Sequence, residues 1–148
     1  MSIISTIKNF IWSIADVDVI FDTDDGTYYD GDTETININL DELNQDYGFL
    51  RHLRTVHKCE FCNKYSPLLW AILHEVGHYY TLDDYDNEEE EDERIALSLL
   101  DDDVLHNPMV QDRYFNLPSE WGATEWAIHF VENNAELCKA FDHYATIR

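Results

Sequence analysis

The pattern His74-Glu75-Val76-Gly77-His78 constrains this chain more than any other feature of it. Two histidines four residues apart on a helix lie about 40° apart around its axis and one turn apart along it, so both imidazoles can reach one ion. Glu75 projects roughly 100° away from His74, beside such an ion rather than onto it. This H-E-x-x-H spacing is typical of a zinc site in which His74 and His78 are ligands and Glu75 is the proton acceptor.

The residues before the pattern predict the helix that it requires. Ser66 is a predicted N-cap, and Pro67 follows at the first helical position, where its missing N–H costs nothing. Apolar residues then recur at three- and four-residue steps and predict a buried face: Leu69, Ile72, Leu73, Val76 and Tyr80. Two histidines and an acid are costly to bury in so apolar a helix unless they bind something. The alternative is a chance match on a half-exposed helix.

A third ligand is predicted from a second helix, over residues 119–144. With Glu120 at the origin of a helical wheel, the acids Glu125, Glu132 and Glu136 fall on the opposite face. Small and apolar residues share the side of Glu120: Ala123, Ala127, Phe130, Val131, Asn134, Leu137, Cys138 and Phe141. A carboxylate on a core face requires a positive partner, which an ion at the two histidines would supply. The alternative is a first-turn glutamate in water that favours the helix dipole.

Asp84 is a second candidate for the third ligand. It lies ten residues beyond His74, the spacing that metzincins use after a glycine turn. Thr81 occupies the turn position here, and a residue with a Cβ makes the sharp reversal harder. We therefore rank Glu120 ahead of Asp84.

The two motifs together resemble the ImmA/IrrE family of gluzincin-type metallopeptidases. That family pairs H-E-x-G-H with a downstream helix that reads E-x-x-A-[ND]-x-F-A, and here residues 120–127 read Glu-Trp-Gly-Ala-Thr-Glu-Trp-Ala. Glu120 matches the third ligand, Trp126 stands where Phe is usual, and Thr124 replaces Asn or Asp. The resemblance covers roughly residues 35–140 and implies a zincin-like fold and a regulatory protease that cuts a protein substrate.

Length and charge limit the classes of function. At 148 residues the chain suits one domain, which we predict over residues 1–148. The formal net charge of −22 repels phosphates, so we expect no direct binding to nucleic acid and instead a partner or substrate with a basic segment. No apolar run approaches the ~20 residues of a membrane span. The first 14 residues show helical spacing rather than a signal peptide, which predicts an amphipathic helix and a cytoplasmic protein.

Periodicity predicts an α+β fold in which a small antiparallel or mixed sheet packs on the helices that carry the motifs. Residues 17–21 are a predicted strand, joined by an acidic hairpin turn to a return strand that begins at Tyr28 and Tyr29. Residues 35–40 alternate cleanly, with Ile36, Ile38 and Leu40 expected to face inward. Residues 41–54 are predicted to be helical.

Two further segments carry predictions. Cys59 and Cys62 form a lone C-x-x-C, for which a loop with reduced thiols is favoured, although a small structural zinc with His52 or His57 stays open. Residues 83–93 hold nine acids in eleven positions, a density that repels itself and predicts a solvated acidic loop inserted in the domain.

The leading hypothesis is a zinc-dependent peptidase in which Zn²⁺ lies on His74, His78 and Glu120, and Glu75 takes a proton from the attacking water. A donor to the oxyanion is also needed, and spacing does not choose among four candidates: Tyr79, His106, Tyr114 and His129. The competing hypothesis is an acidic decoy, a nucleic-acid mimic or inactive zincin that binds a basic partner.

Overall fold

The computed structural model describes residues 2–43, 48–82, 88–98 and 107–146, and these form a mostly helical α+β fold with one small mixed sheet. This confirms the predicted fold class. The elements in chain order are α1 Ile3–Ile14, β1 Asp18–Phe21, β2 Tyr28–Asp30, β3 Thr35–Ile38, α2 Leu40–Leu43, α3 Phe49–Thr55, a 3-10 turn Cys62–Lys64, α4 Pro67–Thr81, α5 Glu88–Ser98, α6 Pro108–Phe115, α7 Pro118–Asn133 and α8 Ala135–Thr146.

The sheet is built around β3, which lies between the other two strands in the order β1-β3-β2. β3 pairs parallel to β1 and antiparallel to β2. The predicted hairpin of the first two strands is therefore wrong, because β1 and β2 each pair with β3 instead. All four residues of β3 are buried, including Thr35 and Asn37, which the alternation placed outside. A strand so buried on both faces takes the centre of a sheet and leaves the more exposed strands at the edges.

The first helix is amphipathic, as its spacing predicted. Its N-terminus is capped by Ser2, whose hydroxyl accepts from the Ser5 N–H at 3.1 Å. Ile7, Phe10 and Ile11 are buried, and the Phe10 ring packs on that of Phe141 in α8 with 4.6 Å between centroids. In the part of the chain that the structure describes, no helix has the length and apolar character needed to cross a membrane.

Two predicted helices are interrupted. The helix predicted over residues 41–54 ends at Leu43 among the described residues and begins again at Phe49, after Gly48, which adopts a left-handed φ of 95°. The helix predicted over residues 119–144 breaks at Asn134, so α7 and α8 are separate and Leu137 is 40% exposed rather than buried. The small and apolar face of α7 is nevertheless buried at Ala123, Ala127 and Val131.

The acidic stretch is not simply a loop. Residues 83–87 lie outside the described residues, but residues 88–93 form the first half of α5. Self-repulsion was the basis for predicting a loop across residues 83–93, and it is offset here by basic partners: Arg94 binds Glu90 one turn away, and Arg113 of α6 lies 3.4 Å from Glu93. The acidic insertion therefore contributes a helix that packs on the rest of the fold.

Candidate metal centre

Helix α4 begins as the sequence predicted. The Ser66 hydroxyl accepts from the Leu69 N–H at 3.0 Å, with Pro67 at the first position. Asp142 of α8 accepts from both the N–H and the hydroxyl of Ser66, at 2.8 and 2.6 Å, and so joins the start of α4 to the C-terminal helix. The predicted apolar face is buried except at Tyr80, which is 48% exposed and donates to the carbonyl of Ile14.

Gly77 lets α4 lie unusually close to α7. A Cβ at this position would lie 2.4 Å from the backbone oxygen of Ala123 and 3.0 Å from its Cα. Only glycine opposite a small residue permits such an approach of two helix backbones. The glycine inside the H-E-V-G-H pattern therefore determines the distance between the helix that carries the histidines and the helix that carries Glu120.

The three predicted ligands meet between these helices. The Nε2 atoms of His74 and His78 lie 3.3 and 2.6 Å from Oε2 of Glu120, and one ligand atom from each residue lies within 4.8 Å of the other two. Glu120 is 2% exposed, so its carboxylate does not point into water as a solvated first-turn acid would. Two imidazole nitrogens and a carboxylate oxygen converge on one point, and this group could bind a metal ion.

Thr124 orients His74 toward that point. The Thr124 hydroxyl donates to the backbone carbonyl of Glu120 at 2.9 Å, so its oxygen is free to accept from Nδ1 of His74 at 3.1 Å. With the proton on Nδ1, the lone pair of His74 is on Nε2, which faces Glu120. Orientation by a hydrogen bond to the second ring nitrogen is typical of metal-binding histidines. Threonine thus makes the contact that Asn or Asp makes in the resembled family.

The charges of the group are strongly coupled. Burial alone would lower the pKa of His78, but the adjacent Glu120 carboxylate raises it above its usual value. Burial alone would raise the pKa of Glu120, but His78 and His74 hold it well below its usual range. Glu120 is therefore ionised at neutral pH, in the protonation state that binds a cation.

Glu75 is held beside the group and does not belong to it. Its side chain is buried, and the backbone N–H of Tyr29 in β2 donates to its carboxylate. Burial raises the pKa of Glu75, although the nearby His78 and His74 oppose that shift. A carboxylate with a raised pKa accepts a proton more readily at neutral pH than a solvated one. The sheet thus positions the predicted proton acceptor through its edge strand.

Of the four candidates for an oxyanion donor, Tyr114 of α6 contacts the group. Its hydroxyl hydrogen-bonds Glu120 and lies 3.4 Å from Nη1 of Arg94, and burial raises its pKa well above its usual value. The side chain of His129 is 67% exposed and faces Glu125. Tyr79 packs on Tyr29 with 6.0 Å between ring centroids. His106, like the rival ligand Asp84, lies outside the described residues.

Arg94 was not identified from the sequence. Its guanidinium lies 3.4 Å from Oε1 of Glu120 and 2.6 Å from Oγ of Ser119. Burial would lower its pKa, but Glu120, Tyr114 and Glu90 together raise it. The only signal in the sequence was the four-residue spacing between Glu90 and Arg94, which is too common on helices to indicate a site.

A second histidine cluster lies apart from the first. His52 Nδ1 lies 3.2 Å from Asp112 of α6, and His57 Nδ1 lies 2.8 Å from Glu125 of α7. The cysteine pair is buried and reduced. Among the residues that the structure describes, neither these histidines nor the cysteines form a group of three ligands, and the open possibility of a second zinc at Cys59 and Cys62 gains no support.

Comparison with known proteins adds no relative. The chain matches no protein-family model, and neither the curated proteins nor the solved structures contain a match to it. The interpretation of the site therefore depends on its residues and their geometry.

Proposed function

We propose that this chain is a zinc-dependent metallopeptidase with a zincin-like fold, related in chemistry to the ImmA/IrrE family that its motifs resemble. The observation that carries the proposal is the convergence of His74 Nε2, His78 Nε2 and Glu120 Oε2 from two helices separated by more than forty residues, with Glu75 buried beside them. A site built only for stability would favour apolar residues here, because burying three titratable groups is costly.

The donor set fits zinc. Two imidazoles and one carboxylate are the ligands of many catalytic zinc sites, whereas structural sites are closed by four protein ligands that include cysteine. Among the described residues the group offers three ligands, so His74, His78 and Glu120 would hold the ion and leave a coordination position free. A bound Zn²⁺ would supply Lewis acidity, polarising a peptide carbonyl and lowering the pKa of a water molecule.

Two residues of the chain would then move or stabilise charge. Glu75 would accept the proton of the attacking water and pass it to the leaving amine, a role that its raised pKa suits. Tyr114 would donate its hydroxyl proton to the developing oxyanion, since burial keeps the phenol neutral and its hydroxyl lies within reach of Glu120.

The substrate class follows from charge. With a net charge of −22, and with the exposed acids Asp92 and Glu93 on the helix that contacts the site, the surface attracts a basic protein or peptide segment and repels nucleic acid. We therefore propose a protein substrate with a basic stretch near the cleaved bond, and an intracellular regulatory role as in the resembled family.

The test is the Glu75→Gln variant. Wild-type protein loaded with Zn²⁺ is incubated with a proteome-derived peptide library, and new termini are identified by mass spectrometry. We expect cleavage by the wild type, loss of at least about a hundredfold in Glu75→Gln with zinc content unchanged, and full activity in the matched control Glu136→Gln, whose side chain is 93% exposed. Wild-type cleavage that survives Glu75→Gln would refute the mechanism, and a metal-loaded wild type that cleaves nothing would favour the acidic decoy.

A further inference from the structure

Helix α5 caps the helix that carries Glu120. The Oε1 atom of Glu90 accepts from the backbone N–H of Ser119 at 2.5 Å, in the first turn of α7. Leu117, the residue at the N-cap of α7, provides no side-chain hydrogen bond, so a carboxylate from another helix satisfies this N–H instead. Glu90 is 9% exposed, and its negative charge also suits the positive end of the α7 dipole.

Arg94 extends this contact to the candidate metal ligand. It lies one turn from Glu90 on the same face of α5, with 3.4 Å between Nη2 and Oε2. The same Nη2 lies 2.6 Å from the hydroxyl of Ser119, while Nη1 lies 3.4 Å from Oε1 of Glu120. The two oxygens of Glu120 therefore have different partners. Oε1 faces the guanidinium, and Oε2 faces the imidazoles of His74 and His78.

We propose that Glu90 and Arg94 form a clamp that positions Glu120 so that only Oε2 is offered to a metal ion. This inference deepens the proposed metal centre and rests on it, and it makes Arg94 a positioning residue rather than a ligand or a catalytic residue. The planar fork of arginine suits the task because it reaches Ser119, Glu120 and Glu90 together, which the point charge of a lysine does not. The acidic stretch is thus part of the site.

The test measures metal binding by the full-length chain, with Co²⁺ and Zn²⁺ as probes. Arg94→Met keeps the aliphatic stem and removes the fork, and Arg94→Lys keeps the charge alone. Arg113→Met is the matched control, because Arg113 also joins α5 to a neighbouring helix through Glu93 but lies 62% exposed and away from Glu120. Zinc affinity is measured by competition with a chromophoric chelator, and the coordination number of Co²⁺ is read from the intensity of its visible absorption.

We expect Arg94→Met to weaken Zn²⁺ binding by roughly 10–100-fold, the usual effect of removing a partner of a metal ligand. Its Co²⁺ absorption should be weaker, because Glu120 becomes free to bind through both oxygens and raise the coordination number. Arg94→Lys should recover part of the affinity, and Arg113→Met should match the wild type. Unchanged or tighter binding by Arg94→Met, or an equal loss in Arg113→Met, would overturn the clamp.

A metal-free measurement separates the clamp from a general loss of stability. In chelator, urea unfolding is compared for Arg94→Met, Glu120→Gln and the double variant. If Arg94 holds Glu120, the double variant should depart from the product of the single effects by at least about threefold in the unfolding equilibrium constant. Simple additivity would overturn the proposal. A wild type that binds metal and cleaves no peptide refutes the peptidase and leaves the clamp standing, whereas a wild type that binds no metal refutes both.

Discussion

Gly77→Ala sets helix propensity against helix packing. Alanine is favoured over glycine inside a helix by about 1 kcal/mol, so propensity alone predicts a more stable protein. The new Cβ, however, would lie 2.4 Å from the carbonyl oxygen of Ala123, where ordinary contacts begin near 3.4 Å. The obstacle is backbone, which cannot rotate away, so α4 and α7 must separate by about 1 Å. Overpacking of this kind costs roughly 1–3 kcal/mol, and we expect a net loss of about 1–2 kcal/mol.

The same separation would affect metal binding. Ligand distances in metal sites are held to about ±0.2 Å, so moving Glu120 by about 1 Å from His74 and His78 should reduce Zn²⁺ affinity by at least about tenfold. Urea unfolding of the metal-free protein measures the first effect, and chelator competition measures the second. Gly26→Ala is the control, because its Cβ would meet only the flexible end of Glu42 at 3.3 Å. A Gly77→Ala protein that is more stable than the wild type, with full zinc affinity, would refute this account.

Three further outcomes are expected. Thr124→Val removes the acceptor for Nδ1 of His74 at nearly constant volume and should weaken Zn²⁺ binding by roughly 10–100-fold, while Thr124→Ser keeps the wild-type affinity in chelator competition. Burial lowers the pKa of His52 below 6.5, despite its hydrogen bond to Asp112, so the unfolded chain takes up the proton first and stability falls as the pH drops through 6.5. In urea titrations between pH 7.5 and 5, His52→Phe should flatten this dependence by up to about 1.4 kcal/mol per pH unit; parallel curves would show that His52 does not contribute. Zn²⁺ at a hundred times its dissociation constant should add about 2.7 kcal/mol and roughly 5–10 °C to the melting temperature, and a chelator should reverse this by calorimetry, with no shift in Glu120→Ala.

Local chemistry made the site predictable. Ser66 and Pro67 mark the start of α4, and a four-residue spacing places two side chains on one face of any helix. Glu120 was recognisable because a carboxylate among small residues on a core face requires a cation. These inferences use only a few consecutive turns of chain, and for that reason they needed no knowledge of tertiary structure.

Longer-range features were not predictable. The parallel pairing of β1 with β3 depends on how the chain returns across the sheet, which alternation within each strand does not specify. The helix in the acidic stretch depends on Arg94 and Ser119, whose proximity only the packed fold creates. The break at Asn134 likewise escapes a helical wheel, which treats every residue as continuing the same helix.

The central claim is that one metal ion binds between α4 and α7. X-ray diffraction recorded on either side of the zinc absorption edge, from crystals of the zinc-loaded protein, tests it most directly. We predict a single anomalous peak about 2.0–2.2 Å from Nε2 of His74, Nε2 of His78 and one oxygen of Glu120. The absence of a peak at these three residues, or a peak at Cys59 and Cys62 alone, would contradict it.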